Sequence, residues 1–366
     1  MIFPQSVRSS GNKAAASGPE RAGSDRGKGF NKSIMKIGKL PETVLERSVI
    51  RQIRHRRNEV LMGPAVGVDC AAVEAREGDV FTFSTDPITG TVHDLGAHCI
   101  YVTANDLAAS GAEPVGVMLS VLLPPDTEES AVRKIVQDAD RVCEGLGIEI
   151  LGGHTEVTNA VRQILITVTG IGRIRKAELL LPDRAEPGDS IVISKWVGLE
   201  ATSILAKERE KELLDRFSPE LIRTAAGFDR YLSVVEDAEI AKKAGVKLMH
   251  DITEGGVFGA LWEIGEATGC GLTADVRSIP IRQETVEICE FFDVNPYQIM
   301  SSGSMLMIAP DGGRLVRALG ERGIHAAVIG RLTEGNDRIL TNQGETRYLE
   351  RPKPDELYRA LGESES

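Results

Sequence analysis

Four aspartates stand beside turns or small residues in otherwise apolar surroundings: Asp69 in GVDCAAV, Asp86 in FSTDPITG, Asp106 in TANDLAASGA and Asp251 in HDITEGG. Each has an ordinary structural use. Asp86 could cap the turn that Pro87 begins, and Asp251 with Glu254 has the D-x-x-E form of a capping box ahead of the apolar run from Val257 to Ile264. Asp106 is different, because Asn105 and Asp106 interrupt an apolar, helix-like run, where an unpaired carboxylate is costly to bury. It needs a partner. Carboxylates brought together repel and shift one another's pKa unless a cation sits between them. Mg²⁺ suits such a site, being a hard ion held by a few carboxylates plus substrate phosphates.

Glycine-rich segments supply the other half of a phosphate site. Gly152-Gly153-His154-Thr155 follows an apolar strand and reads as a turn, and Gly255-Gly256 lies at a helix start, where free N–H groups and the helix dipole receive anions. Neither has the spacing of a Walker A loop or a dinucleotide fingerprint. His154 and His250 are isolated, which favours hydrogen-bonded supporting roles over metal ligation. Cys70 has no visible base and orienter, so it reads as a small buried thiol. The five cysteines show no metal spacing, and their odd number argues against a disulfide framework, so a reducing cytoplasm is expected.

The elements that must position these residues follow from periodicity. Leu45, Val49 and Ile53 recur every four residues and predict a core-facing helix within Pro41 to Arg57. A strand over Val80 to Thr85, ended by Asp86, then a buried helix over His93 to Ser110, a strand over Pro114 to Pro124 and a helix over Glu128 to Leu146 follow. Strands IEILGG and RQILITVTGIG complete an alternating α/β half. Pro187-Gly188-Asp189 marks a turn and a boundary. Beyond it, strands SIVISK, GLTADV and SMLMIAP alternate with helices over 199–215, 219–244, 251–268, 282–292 and 313–322, and short strands close the second α/β half. The fold class is therefore α/β, of α+β type, divided into residues 35–176 and 187–350, with a tail at 351–366. Residues 1–34, rich in Ser, Gly, Ala and basic side chains, read as a disordered extension with Met35 opening the domain; Glu20 and Asp25 argue against a transit peptide. A net charge of −11 excludes nucleic acid as a natural partner, and no apolar run is long enough to span a membrane.

Taken in order, GVDCAAV, STD, ANDLAASGAEP, GGHTEVT and DITEGG resemble the successive motifs of the AIR synthase (PurM-like) superfamily, over about Met35 to Leu349. GGHTEVT brings the chain nearest to proteins related to the hydrogenase maturation factor HypE. The resemblance implies an N-terminal sheet domain that dimerises by pairing sheets, a C-terminal α/β domain covering it, and ATP with Mg²⁺ in a groove between them. It implies that Asp69, Asp86, Asp106 and Asp251 handle metal and phosphate, with Asp106 and Asp251 catalytic. Asp69, Asn105, Gly152, Gly153, His154, Thr155, Gly255 and Gly256 would contact the nucleotide.

Two departures stand out: Val68 precedes a single Asp69 where HypE-like chains carry paired acids, and the last cysteine, Cys289, is internal where HypE carries a C-terminal acceptor thiol. The implied activity is ATP-dependent activation of an oxygen of an amide- or carboxylate-like group. Its acceptor would be a small molecule or a protein thiol supplied by a hydrogenase maturation partner. A small-molecule kinase resembling thiamine-monophosphate kinase is a second expectation, and a nucleotide-binding protein without catalysis a third.

Overall fold

The computed structural model describes residues 37–88 and 94–362, so the expectations for 1–34 and for Met35 as the start of the domain lie outside the described residues. The first half runs β1 (Gly38–Lys39), α1 (Glu42–Ser48), β2 (Val60–Met62), β3 (Ala72–Val73), β4 (Asp79–Ile88), α2 (Leu95–Ala109), β5 (Glu113–Leu123), α3 (Glu129–Leu146), β6 (Glu149–Val157) and β7 (Leu165–Arg175). Five of its strands form one sheet in the order β1-β6-β5-β7-β4, and β2 pairs with β3 in a separate ribbon. Helix α2 lies over β4 and β7, and α3 over β6. The amphipathic α3 turns Val132, Val136, Ala139 and Cys143 into this core and stops at Gly147, whose φ of 68° ends the helix in the left-handed region.

The second half holds β8 (Ser190–Ser194), α4 (Leu199–Glu208), α5 (Glu210–Leu213), α6 (Pro219–Ala226), α7 (Val235–Ala244), β9 (Leu248–Asp251), α8 (Gly256–Thr268), β10 (Gly271–Asp275) and α9 (Gln283–Phe291). It continues with β11 (Met305–Ala309), α10 (Gly312–Gly320), β12 (Ala326–Thr333), β13 (Arg338–Asn342), β14 (Glu345–Tyr348) and α11 (Glu356–Leu361). Its seven strands are ordered β14-β13-β10-β12-β8-β11-β9. Strand β11 is buried at every position, as the unbroken apolar run MLMIA requires of a strand covered on both faces.

Each half has its own core, and a third cluster joins them: Ala108 and Ala109 of α2 pack with Val192, Val234, Met249 and Met305 of the second half. Helix α2 is thus buried from both sides, which explains why its sequence is apolar almost all round.

Four expectations are corrected. The first helix is only seven residues long, followed by a 3₁₀ turn, although Leu45, Val49 and Ile53 do face the core. GGHT is not a turn but the middle of β6. Asp251 ends a strand and opens no helix, because hydrogen bonding across to Met305 extends β9 through it. Residues 356–361 are no loose tail: Leu357 and Ala360 are buried against α4 and α9.

Candidate functional site

Three of the four aspartates converge where the halves meet. Asp86 lies within β4, whose strand continues to Ile88, and its ladder partner is Val168. Directly paired residues point to one face of a sheet, so Asp86 shares the helix-covered face with buried Val168. There it meets α2. His98, Val102 and Asp106 are spaced four apart and therefore line one side of that helix. Ser84 donates its hydroxyl hydrogen bond to Asp106 and lies 3.2 Å from Asp86 Oδ2, tying strand to helix. From the second half, β9 delivers Asp251 to the same place. Asp86, Asp106, His98, Glu200, Glu254 and Tyr358 line a cavity of about 390 Å³ here, and Asp251, almost fully buried, interacts with Asp106.

Burial, and then the charges of Asp251 and Asp86, push the Asp106 carboxyl well above the usual carboxylate range. Burial does the same to Asp251, against the opposing charge of His250. Asp251 Oδ2 is buried without a hydrogen-bond partner. A pair in this state must share a proton or a cation. Among the described residues no three His, Cys, Asp or Glu side chains form a ready-made metal cage. The arrangement fits a cation such as Mg²⁺, which takes one or two carboxylates and completes its shell with water and phosphate oxygens.

Asp69 is not part of this cluster. It is exposed and lines a second cavity of about 460 Å³, together with Gly152, Gly153, His154 and Thr155. One row of the sheet runs Gly153, Leu119, Val168, Asp86, so the two sites are three strands, about 14 Å, apart. Strand β6 pairs with β5 along its length but with β1 only at Glu156 and Val157, which leaves Gly152 to His154 bordering the second cavity. Gly153 has a φ of 146°, and a Cβ there would lie 1.9 Å from the Leu119 carbonyl oxygen. Glycine is required for backbone reasons alone. His154 pairs with Glu156 at 3.1 Å, and His250 with Glu263 at 2.8 Å.

Other expectations meet different partners. Asn105 is completely buried and occupied: its Nδ2 donates to Leu232 O at 2.8 Å and its Oδ1 accepts from Val234 N at 2.9 Å. This amide ties α2 to the second half and, completely buried, spends these bonds inside the protein. Gly255 and Gly256 do begin α8, but Gly255 N–H donates to Asp355 Oδ2 at 2.7 Å and Gly256 N–H to Thr253 O at 3.2 Å. A carboxylate of the chain itself holds the place foreseen for phosphate. The capping box does not form, since Glu254 accepts a 2.6 Å hydrogen bond from Tyr358. Cys70 is exposed, because the segment around it carries only the short β2–β3 ribbon; the other four thiols are buried, and burial pushes Cys99 and Cys289 up to about 12.

The sequence reading missed His98 and Glu200. Glu200, 2% exposed at the start of α4, accepts from Ser302 N at 3.0 Å, and its Oε1 lies 2.7 Å from His98 Nε2. The spacing from Asp106 back to His98, two helical repeats of four, was the available signal for the histidine. Nothing local marks the glutamate.

Two family models match the chain: AIR synthase related protein, N-terminal domain, over 67–174, and AIR synthase related protein, C-terminal domain, over 186–341. The carbamoyl dehydratase HypE of Rhodobacter capsulatus is 28% identical over 302 residues, covering 79% of this chain and 86% of the relative. Two solved structures share the fold. The hydrogenase maturation protein HypE in complex with ATP superposes with a TM-score of 0.72 at 20% identity, covering 90% of this chain and 99% of that one. The thiamine-monophosphate kinase from Stenotrophomonas maltophilia K279a gives 0.68 at 21%, covering 85% and 99%. Both domain matches, in order and with HypE-like relatives along most of the chain, make this protein a member of the AIR synthase-related family.

Proposed function

We propose that the chain is an ATP-dependent enzyme that activates an oxygen of an amide- or carboxylate-like group, in the manner of a HypE-type carbamoyl dehydratase. The observation that carries this is the buried convergence of Asp86, Asp106 and Asp251 from both halves, with one carboxylate oxygen unbonded. Likeness to a HypE solved with ATP supports the choice of nucleotide. Asp106 and Asp251, with Asp86 beside them, would hold Mg²⁺. Bound there, the ion would neutralise phosphate charge and stabilise the group in transfer. Ser84 keeps Asp106 oriented through its hydrogen bond, and Asn105 fixes the helix that carries it. Asp69 and the open edge of β6 at Gly152 to Thr155 are the proposed nucleotide side, reached across the sheet.

In this reading the two α/β halves act as separate domains. The sheet face opposite α2 carries Phe83, 69% exposed, and supports pairing of two copies into a homodimer. The acceptor is a small molecule or a protein thiol, and the HypE likeness points to a hydrogenase maturation partner. Direct phosphoryl transfer to a small molecule, as in a thiamine-monophosphate kinase, is the second reading, favoured by a fold match nearly as good.

Phosphate release from ATP, followed with and without Mg²⁺ and a carboxamide acceptor, tests the proposal. Mg²⁺-dependent release that the acceptor stimulates is expected; a stable phosphorylated acceptor would shift the assignment to a kinase. Neither binding nor hydrolysis of ATP would refute both.

A further inference from the structure

His98 and Glu200 form a pair that the proposed function leaves unused. The imidazole comes from α2, on the same side as Asp106, and its side chain is 11% exposed. The carboxylate comes from α4, is 2% exposed, and is fixed by the Ser302 N–H. Burial pushes the Glu200 carboxyl up, but hydrogen bonds from His98 and Ser302, and the charge His98 bears once it has taken a second proton, outweigh it, so the ionised carboxylate favours the protonated ring. An ionised carboxylate only accepts. His98 Nε2 therefore carries the proton shared at 2.7 Å, and Nδ1 is the ring nitrogen left to take another. The pair also stands between two spaces. His98, Glu200 and Ile204 line both the cavity of Asp86 and Asp106 and a cleft of about 470 Å³ bordered by Tyr101, Ser203 and Lys207.

A base oriented by a buried carboxylate, between an acid-rich cavity and a cleft that can admit an acceptor, is built for proton transfer beside a phosphoryl transfer. Resting on the activity proposed above, we infer that His98 accepts the proton released when a primary carboxamide is activated, and that Glu200 is its positioning residue. The amide oxygen attacks the γ-phosphorus of ATP; the new O–P bond forms as the bond to the β,γ-bridging oxygen breaks and ADP leaves. The amide nitrogen passes one proton to His98, giving an O-phosphorylated imidate. Its remaining N–H proton then departs with the phosphate as hydrogen phosphate, leaving a nitrile. A kinase reaction at an oxygen lacking such an N–H has no second proton of this kind to lose.

The test uses the full chain with Mg²⁺, ATP and N-acetyl-S-carbamoylcysteine as the probe acceptor. His98→Ala is expected to lower kcat for acceptor-stimulated phosphate release by about 100-fold, with KM for ATP within about twofold and partial rescue by added imidazole. Glu200→Gln keeps the shape and an acceptor oxygen, and is expected to lower kcat by about tenfold, again without a change in KM for ATP. That variant carries the test should His98→Ala fail to fold. Unchanged kcat in either folded variant, a loss that imidazole does not rescue and that a parallel fall in ATP binding matches, or activity restored by His98→Gln, whose amide cannot take a proton, overturns the assignment and leaves the parent reading intact. A wild-type protein that binds Mg²⁺-ATP but never releases phosphate overturns both.

Discussion

Asp69 and Asp106 occupy similar-looking settings in the sequence, each an aspartate among small residues, yet the fold treats them oppositely. Asp69 lies on an exposed segment whose only regular structure is a short two-stranded ribbon, so water solvates its charge. Asp106 sits on a helix buried between two halves, faces Asp251, and leans on Ser84. A solvated carboxylate is a weak, replaceable charge, whereas a buried one demands a proton or a cation. Chemistry should therefore concentrate at the β4 edge of the sheet, beside Asp106, and replacement of the Asp69 carboxylate should be tolerated better.

The largest contrast is expected from paired amide substitutions. Asp106→Asn should lower kcat for ATP turnover by about 10² to 10³-fold, while Asp69→Asn should change it by less than about tenfold and act mainly on KM for ATP. Steady-state kinetics check this, and equal losses would erase the distinction. Next in size is Gly153→Ala, on the Asp69 side. Its Cβ would meet the Leu119 carbonyl at 1.9 Å in a left-handed backbone, at a cost of about 3 kcal/mol. A thermal midpoint close to wild type would show that β6 can yield. On the Asp106 side, Asn105→Ala strands the Val234 N–H and the Leu232 carbonyl in the seam between the halves. Denaturant melts should show a loss of about 2 kcal/mol.

The last prediction concerns pH. Burial pushes the Asp355 carboxyl up to about 6, against the Leu357 and Gly255 N–H groups that favour its charged form. Because this lies above the unfolded value of about 3.9, the stability the group contributes is present below that pH and lost as pH rises through about 6. Wild type should therefore lose stability relative to Asp355→Asn between about pH 4 and pH 6 in parallel melts. A constant difference would mean that the carboxyl is solvated and that the C-terminal helix does not press on the α8 turn.

Long periodic segments were legible in the sequence: the apolar runs of β5 and β11 and the amphipathic α3 all lie where the pattern put them. The motif aspartates were legible as residues needing partners. Their grouping was not, because the register of β4, β7, β5 and β6, which separates Gly153 from Asp86, is set by ladder pairing and leaves no local mark. Gly152-Gly153 looked like a turn because glycine pairs usually are, while here one glycine admits a close backbone approach inside a strand. Asp251 and Glu254 mimicked a capping box, and a strand pairing with β11 took precedence. Asn105 looked like a ligand because it is a polar residue in an apolar helix, and the second half supplied the partners. The short helix α11 has too few residues to show a period, and the contact of His98 with Glu200 joins distant parts of the chain.

Titration calorimetry of ATP into the wild type, Asp251→Asn and Asp69→Asn proteins, each with and without Mg²⁺, tests the central claim most directly. Mg²⁺ is expected to tighten ATP binding to wild type and to Asp69→Asn by at least about tenfold, a difference of about 1.4 kcal/mol, and Asp251→Asn to abolish that enhancement. Mg²⁺ enhancement that survives in Asp251→Asn and vanishes in Asp69→Asn would contradict it.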